Sequence, residues 1–239
     1  MTRAVILAAG DGGRLGEHTA DVPKPLVLVD GRPLIAFTLE AVAAAGVIDA
    51  TVVVGYRSAQ LMHAMGEGMP GPRISFVHND RFHGGASLSL RAARSAAGDE
   101  PFLLLMADHM LSAPIMQRLL TAPRGPRTSL VATDASHWPS AYVDEATRVR
   151  LAPSARAVTA IGKGLEPWDA LDTGAFLLAP SAWEAVDAAP EDCELSVIFQ
   201  ELARRGELEA VDVSGAGWYD VDTEEDLAAV RRMVARNAR

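Results

Sequence analysis

The chain has 239 residues, of which 49% are hydrophobic and 22% are charged, and its formal net charge is -9. This composition is that of a globular protein with a sizeable core, and it excludes a disordered chain. A negative chain without a basic cluster argues against a nucleic-acid partner. The single cysteine, Cys193, excludes a disulfide framework. No apolar run reaches the ~18 residues that span a bilayer, so we expect a cytoplasmic protein without stable membrane insertion.

Short apolar runs alternate with amphipathic stretches through the first half of the chain. Continuous hydrophobicity is typical of strands buried in a parallel sheet. The predicted strands are Ala4–Ala9, Ala50–Gly55, Ile74–Val77 and Phe102–Met106, and the predicted helices are Pro33–Ala45, Ser58–Met65 and Ser87–Ala97. This alternation predicts right-handed βαβ crossovers and an open α/β sheet.

The second half is less regular and predicts antiparallel additions or a small lobe over the sheet. The predicted strands are Ser129–Thr133, Arg148–Leu151, Ala157–Ile161, Leu171–Leu178 and Leu208–Val213, and the predicted helices are Pro180–Ala188, Ser196–Arg205 and Thr223–Val234. Thr223 with Asp226 three residues later approximates a capping box at the start of the last helix.

Glycines follow the first predicted strand directly, in "LAAGDGGRLG" (residues 7–16). Glycine backbones leave N–H groups unobstructed, and such a nest binds anionic oxygens at the carboxyl edge of an open α/β sheet. A sharp turn that holds no ligand is the alternative. Two other nucleotide-binding motifs are excluded. A Walker A loop has Lys-Ser/Thr after its last glycine, where this chain has Arg14-Leu15. The G-x-G-x-x-G motif needs a glycine at the position of Leu15.

The segment "VPKPLVLVDGRPL" begins at Val22 and fixes Lys24 between two prolines. Alone, Lys24 would be interpreted as a solvated lysine. Together, "LAAGDGGRLG" and "VPKPLV" resemble the nucleotidyltransferases that make nucleotide-activated sugars and alcohols, the NDP-sugar pyrophosphorylase-like family. The usual pattern of that family is A-A-G-x-G-x-R-L followed by P-K-P, and Gly13 stands at its variable position.

The resemblance implies the nucleotide-diphospho-sugar transferase fold, a Rossmann-like, open, mixed and mostly parallel sheet flanked by helices, with a small antiparallel acceptor-side lobe. It implies one domain over residues 1–239, with a nucleotide-binding half (1–115) and an acceptor-binding half that includes the closing helix (116–239). Arg14 and Lys24 would stabilise the phosphates in the transition state. The loop residues expected to bind the nucleotide are Leu7, Ala8, Ala9, Gly10, Gly12 and Gly13.

Three acids are candidates for a metal site. Asp108 ends the apolar run "LLLMADHML", and "GWYDVDTEEDL" places Asp220 and Asp222 before the last helix. A turn or helix cap is the alternative for Asp108, and capping is the alternative for Asp222. Alternation along an extended segment puts Asp220 and Asp222 on one side. Because carboxylates suit Mg²⁺, and the resemblance implies a metal site completed near this position, we expect Mg²⁺ here. The role of His109 stays open, since the histidine spacings do not indicate zinc.

The remaining motifs concern the acceptor and the base. "ALDTGAFLL" contains Asp-Thr-Gly, but an aspartic protease needs a second such loop, which the sequence lacks. The resemblance implies that Asp172 and Thr173 bind acceptor hydroxyls and that Lys163, otherwise a surface lysine, binds the acceptor phosphate. The residues that it places near the nucleobase, in "NDRFHGGASLSL", are Gly84, Gly85 and Ser87. An ordinary loop and a helix cap also explain these three.

The later motifs "NDRFHGGASLSL", "MADHMLS", "IGKGLEPWDALDTGAFLL" and "WYDVDTEEDL" look like CTP:inositol-1-phosphate cytidylyltransferases over nearly the whole chain. The resemblance implies transfer of CMP from CTP to a phosphorylated alcohol or polyol, giving CDP-inositol and pyrophosphate. The alternatives are a phosphocholine or phosphonate cytidylyltransferase, a sugar-1-phosphate nucleotidyltransferase, and a regulatory nucleotide-sugar-binding subunit. The base, whether cytosine, uracil or guanine, is not decided by the sequence.

The family also suggests a partner. In it the activity often belongs to a longer bifunctional polypeptide, whose membrane-embedded part joins CDP-inositol to another inositol phosphate. We expect no such part in these 239 residues. The resemblance therefore implies small-molecule substrates and a protein that acts either alone or with a separate downstream enzyme that uses the CDP-alcohol.

Overall fold

The computed structural model describes residues 2–12, 15, 18–19, 21–66, 68–153 and 156–237. In chain order the strands are β1 Ala4–Ala8, β2 Leu28–Val29, β3 Arg32–Pro33, β4 Asp49–Val54, β5 Arg73–His78, β6 Phe102–Met106, β7 His109–Leu111, β8 Ser129–Asp134, β9 Thr147–Leu151, β10 Val158–Lys163, β11 Ala170–Leu178, β12 Leu208–Asp212 and β13 Trp218–Asp220. The helices are α1 Leu34–Ala44, α2 Ser58–Gly66, α3 Ala86–Ala92, α4 Arg94–Ala97, α5 Ala113–Thr121, α6 Ser140–Glu145, α7 Ala182–Ala188, α8 Leu195–Arg204 and α9 Glu224–Asn237, and Lys24–Leu26 forms a 3-10 turn. Across these residues, no helix has the length and apolar character needed to cross a membrane.

One mixed sheet organises the molecule. Among the described residues it has nine strands, seven of them in the order β10-β9-β11-β6-β1-β4-β5, while β8 pairs with β11 and β12 pairs with β8. The pairs β1–β4, β1–β6 and β4–β5 are parallel, and β11 runs antiparallel to β6. Two small antiparallel ribbons, β2–β3 and β7–β13, lie outside it. The predicted fold class is confirmed.

The central strand β1 is buried along its whole length. Successive side chains of a strand face opposite sides of the sheet, and Val5 and Ile6 accordingly belong to two different hydrophobic clusters. A strand covered by helices on both faces must be apolar throughout. This is why the uninterrupted run at the start of the sequence identifies β1 correctly.

The strand β11 joins the two parts of the sheet and carries an irregularity. Its pairing with β8 shifts register between Asp172 and Phe176. Gly174, at the centre of this bulge, has a φ of +74°, a backbone conformation that glycine adopts without strain. Bulges of this kind bend a strand and increase its local twist.

The ribbon β7–β13 brings together two segments that are more than 100 residues apart. Asp220 pairs with His109 and Trp218 pairs with Leu111. The indole Nε1 of Trp218 donates a hydrogen bond of 2.8 Å to Asp134 Oδ2, at the end of β8. The ribbon is therefore fixed to the main sheet beside the residues that follow β6.

Most predicted elements are confirmed to within two residues. The helix expected over Ser87–Ala97 is divided into α3 and α4 at Ala93. The predicted capping box is confirmed, because Asp226 N donates to Thr223 Oγ1 at 3.2 Å and Thr223 N donates to Asp226 Oδ2 at 2.9 Å. The elements that the sequence did not predict are α5, α6, the ribbon β2–β3 and the ribbon β7–β13.

Candidate active site

A cleft of about 310 Å³ opens at the carboxyl edge of β1 and β6. Because these strands are parallel neighbours, the loops that follow them must emerge side by side. The cleft is lined by Leu7, Ala8, Gly10, Asp11, Gly12, Lys24, Pro25, Ala107, Asp108 and Asp222. Of the predicted nucleotide-binding residues, Ala9 is buried, and its carbonyl accepts a hydrogen bond from Tyr56 N at 2.9 Å. Gly13 and Arg14 lie outside the described residues.

Gly12 is fitted against the side chain of Lys24. Its φ is +68°, and a Cβ atom built on it would lie 2.6 Å from Lys24 Cβ, far inside van der Waals contact. Gly10, in contrast, has open space where a side chain would stand. Gly10 thus leaves the cleft open, while Gly12 allows the side chain of Lys24 to pass close to the loop.

Lys24 is almost fully buried, with 6% of its surface exposed. Its Nζ donates to Asp108 Oδ2 at 3.0 Å and to Asp222 Oδ1 at 2.6 Å. Burial would lower the pKa of Lys24, but the carboxylates of Asp108, Asp220 and Asp222 outweigh it and raise the pKa above its ordinary value. The side chain is therefore a fixed ammonium at the wall of the cleft.

Asp108, His109 and Asp220 form a compact cluster beside this ammonium. His109 Nδ1 lies 2.9 Å from Asp108 Oδ1 and 3.6 Å from Asp220 Oδ1. Burial tends to lower the pKa of His109, but the two carboxylates raise that pKa to about 9. Burial raises the pKa of Asp220 to about 6, whereas Lys24 and His109 overcome burial and lower the pKa of Asp108.

This cluster has the donor set of a divalent-cation site. One ligand atom from each of Asp108, His109 and Asp220 can be chosen so that all three lie within 4.8 Å of one another. Asp220 Oδ1 is buried, and within the described part of the chain it has no hydrogen-bond partner. A buried carboxylate oxygen without a donor is unfavourable, and a cation would satisfy it. The residues present therefore fit a metal ion, and two of the three predicted ligands, Asp108 and Asp220, belong to the cluster.

The Asp-Thr-Gly segment lies next to the same cluster. A Cβ atom on Gly174 would lie 2.6 Å from Cδ2 of the His109 ring. Asp172 Oδ1 accepts a hydrogen bond from Gly174 N at 2.8 Å, and burial raises the pKa of Asp172 to about 7. Thr173 is fully buried, and its hydroxyl donates to Ala132 O at 3.0 Å. The structure thus brings Asp172 to the site and gives the Thr173 hydroxyl a partner in the sheet.

Lys163 lies farther out, at the exposed end of the edge strand β10. Gly162 pairs with Arg148, which in turn pairs with Leu171. Gly162, Arg148 and Leu171 thus lie side by side across three strands. Lys163 and Asp172, the next residues of β10 and β11, lie at the same end of the sheet. Because β9 lies between β10 and β11, these two strands are about 10 Å apart.

Gly84, Gly85 and Ser87 pack against the segment that precedes α8. Added Cβ atoms at the two glycines would collide with Asp192 and with Cys193 O, respectively. The hydroxyl of Ser87 donates to Glu191 O at 2.9 Å and accepts from Cys193 N at 2.9 Å. These contacts hold two distant segments together, and the role of this region at the nucleobase stays a prediction.

Sequence reasoning missed the residues that support the cluster. Tyr142, on α6, accepts a hydrogen bond at its hydroxyl from Asp220 N at 3.2 Å. Its ring packs on Trp138, at 4.7 Å between centroids, and on Tyr219, at 5.1 Å. Thr38 donates to His109 O at 2.8 Å. Only Gly174 carried a usable signal, because a lone glycine in a strand pattern indicates a bulge or a close approach.

A Ser–His–Asp series also occurs on the surface, outside the cleft. His78 Nε2 lies 3.0 Å from Ser58 Oγ, and His78 Nδ1 lies 3.0 Å from Asp80 Oδ1. The Asp80 side chain is 93% exposed, whereas the carboxylate of a hydrolytic triad is buried. Water competes for such an exposed pair, and we assign no chemistry to it.

Comparison with known proteins places the chain among nucleotidyltransferases. The MobA-like NTP transferase domain family matches residues 4–205. A Thermococcus kodakarensis protein named bifunctional IPC transferase and DIPP synthase is 34% identical over 236 residues, an alignment that covers 99% of this chain and 51% of that protein. The protein of the same name from Rubrobacter xylanophilus is 36% identical over 238 residues, covering 97% of this chain and 51% of that protein. The chain spans about half the length of the curated relatives it matches.

A solved structure agrees in fold. The structure described as the inositol-1-phosphate CTP transferase from T. maritima has a TM-score of 0.83 to this chain at 22% identity, and the match covers 99% of this chain and 96% of the other. The predicted resemblance to nucleotidyltransferases is confirmed. With a match over residues 4–205, the chain belongs to the family of MobA-like NTP transferase domains.

Proposed function

We propose that the protein transfers CMP from CTP to the phosphate of inositol-1-phosphate, giving CDP-inositol and pyrophosphate. The observation that carries the proposal is the buried ammonium of Lys24, held between Asp108 and Asp222 at the wall of a glycine-lined cleft. The named activities of the relatives, which match 97–99% of this chain, support this substrate pair.

The reaction needs positioning and charge neutralisation more than acid–base catalysis. An oxygen of the acceptor phosphate attacks the α-phosphorus of CTP, and the bond from that phosphorus to the β-phosphate oxygen breaks. A phosphate monoester has its second pKa near ~6, so the attacking group is already mostly dianionic and no proton has to be removed. The protein must bring two anions together and offset the charge on the leaving group.

Lys24 and the glycine loop perform most of this work. The backbone of Leu7–Gly13 binds the phosphates of the nucleotide, and Arg14 and Lys24 neutralise the charge that develops at the α-phosphate and on the leaving pyrophosphate. Asp222 holds the Lys24 ammonium in place through its 2.6 Å contact. Lys24 is thus positioned before the substrate arrives, which limits the reorganisation required during the reaction.

Asp108 and Asp220 hold the metal ion, which we propose to be Mg²⁺. Their oxygens are the hard donors that Mg²⁺ prefers, and the unsatisfied Asp220 Oδ1 supports this assignment. When bound, the ion supplies Lewis-acid stabilisation of the phosphate oxygens and a template for their orientation. Asp222 belongs to the same acidic group and accepts a hydrogen bond from Lys24 Nζ.

The acceptor binds on the side of β11. Asp172 faces its hydroxyls, the buried Thr173 supports this strand from within the sheet through its bond to Ala132 O, and Lys163 reaches its phosphate from the edge strand. Gly84, Gly85 and Ser87 shape the pocket of the base. The chain acts as one domain whose halves, residues 1–115 and 116–239, bind the nucleotide and the acceptor, and its product is a substrate for CDP-alcohol-dependent transfer.

One experiment tests the substrate assignment directly. Pyrophosphate release is measured for CTP, UTP, GTP and ATP, each crossed with inositol-1-phosphate, phosphocholine, a sugar-1-phosphate and a small phosphonate. The pair of CTP and inositol-1-phosphate is expected to give the highest kcat/KM. A higher value for another pair would reassign the substrate, and no release from any pair would contradict nucleotidyl transfer.

A further inference from the structure

His109 occupies a place in the cluster that a metal ligand would occupy. Its Nδ1 is the atom that faces both carboxylates, at 2.9 Å from Asp108 Oδ1 and 3.6 Å from Asp220 Oδ1. Ligands at right angles around a cation with bonds of ~2.1 Å lie about 3.0 Å apart. The distance from His109 Nδ1 to Asp108 Oδ1 therefore matches the separation of adjacent ligands on an octahedral cation, and the distance to Asp220 Oδ1 is somewhat longer.

The imidazole ring is held in this orientation by its surroundings. On one side it lies against Gly174, at which any Cβ atom would stand 2.7 Å from His109 Nε2. The backbone carbonyl of His109 accepts a hydrogen bond from Thr38 on α1, and β7 pairs the residue with Asp220. The bulge of β11 with its positive-φ glycine thus leaves the space that the ring fills.

We propose that His109 is a third protein ligand of the divalent cation, through Nδ1, and that Gly174 is the residue that allows it to reach that position. The inference rests on the metal-binding part of the proposed function and adds a nitrogen donor to two carboxylates. Ligation uses the neutral imidazole, so the cation takes the place of a proton at this nitrogen.

A nitrogen ligand changes the expected metal preference. Oxygen donors alone suit Mg²⁺, whereas imidazole favours first-row transition metals. The site should therefore bind Mn²⁺ more tightly than Mg²⁺, and Co²⁺ more tightly still, in the order of increasing affinity for nitrogen-containing sites. This preference is a property of binding and does not depend on turnover.

Pulsed electron paramagnetic resonance of the Mn²⁺-loaded protein tests the inference. Protein with ¹⁴N-histidine and protein with ¹⁵N-histidine are compared, and His109 is expected to give a nitrogen modulation that changes with the isotope. The modulation should disappear in His109→Gln, and the affinity for Mn²⁺ should fall at least tenfold, about the loss that follows when a supporting residue of a metal site is removed. The affinity for Mg²⁺ should fall less.

A pair of glycine variants separates ligation from folding. Gly174→Ala crowds the His109 ring and should weaken the nitrogen modulation and Mn²⁺ binding, while Gly162→Ala, which meets open space on β10, should change neither. The absence of histidine modulation in the wild type, its persistence in His109→Gln, or failure to bind Mn²⁺ at millimolar concentration would each overturn the proposal. Modulation without CMP transfer would instead contradict the proposed function and leave the ligand assignment standing.

Discussion

At the scale of single residues, the site depends on one buried cation. Lys24 and Lys163 are the two lysines of the chain, and they occupy opposite environments. Lys24 is buried between Asp108 and Asp222, whereas Lys163 is exposed at a sheet edge. An ammonium in a low-dielectric cleft interacts with phosphate far more strongly than one in water. The two lysines therefore form a matched pair for testing which of them supports the chemistry.

Lys24→Met should lower kcat about 10²–10³-fold, the usual effect of removing one group that stabilises developing charge. Lys163→Met should raise the KM for the acceptor while leaving kcat close to wild type, because Lys163 is assigned to binding the acceptor phosphate. Steady-state kinetics with both substrates varied distinguishes these outcomes. A Lys24→Met enzyme with wild-type kcat would remove the ammonium from the mechanism.

Gly12→Ala should lower the free energy of unfolding by about 1–3 kcal/mol, because it combines a positive φ with a collision against Lys24. Gly10→Ala meets open space and should change stability by no more than ~0.5 kcal/mol. Urea unfolding of both variants checks the pair. Equal stability losses would show that the Gly12–Lys24 contact has no special effect.

At the scale of elements, the short ribbon β7–β13 positions the acids. Its three-residue strands set Asp220 opposite His109, and the indole of Trp218 fixes the ribbon to Asp134. Asp134 is buried, with 3% of its surface exposed, and it also accepts a hydrogen bond from Ser136 N at 2.7 Å. Burial tends to raise the pKa of Asp134, but hydrogen bonds from Ser136 and Trp218 outweigh it and lower the pKa.

Asp134→Asn should reduce the free energy of unfolding at pH 7 by about 1–3 kcal/mol, since hydrogen bonds to a charged acceptor are lost. A carboxyl group with a lowered folded pKa contributes stability above its unfolded pKa, about 3.9, and loses that contribution as the pH falls through the folded pKa. The difference between wild type and variant should therefore stay constant above about pH 5 and shrink below about pH 4. Urea unfolding across this range measures it, and a difference that grows on acidification would contradict the assignment.

At the scale of the whole molecule, the two halves share one sheet and one core. β6 from the first half pairs with β11 from the second, with Leu105 opposite Ala175. Ile6 and Leu177 belong to one hydrophobic cluster, and Val5 and Phe199 belong to another. Neither half can expose its part of these clusters without a large loss of buried apolar area.

The chain should therefore unfold in one cooperative transition. All four tryptophans lie between residues 138 and 218, so their fluorescence reports the second half, whereas far-UV circular dichroism reports both. The two urea transitions are expected to have the same midpoint, as in two-state unfolding. Separate midpoints would show that the halves fold as independent units.

The sequence predicts those parts of the site that follow from strand geometry. Strand β1 and the acid after β6 are predictable, because buried parallel strands are continuously apolar and their carboxyl ends share an edge. The alternation of side chains along an extended segment also predicts that Asp220 and Asp222 lie on one side. Both are near Asp108, because Lys24 contacts Asp108 and Asp222 and His109 contacts Asp108 and Asp220.

Other parts depend on tertiary contacts that leave no local pattern. A three-residue strand such as β13 has too little length for periodicity, so its pairing with β7 is not visible in the sequence. The position of the His109 ring depends on Gly174, which is 65 residues away in the sequence. A side chain on Gly174 would collide with that ring, and no local pattern reveals this contact. Arg14, the other predicted catalytic residue, lies outside the described residues, and its role stays a prediction.

The most direct test of the central claim is a ³¹P nuclear magnetic resonance time course of the protein with CTP, inositol-1-phosphate and Mg²⁺. The account predicts that the CTP signals decline while pyrophosphate and a new pair of coupled diphosphate signals rise in equal amounts. Unchanged CTP, or release of orthophosphate without a new diphosphate, would contradict it.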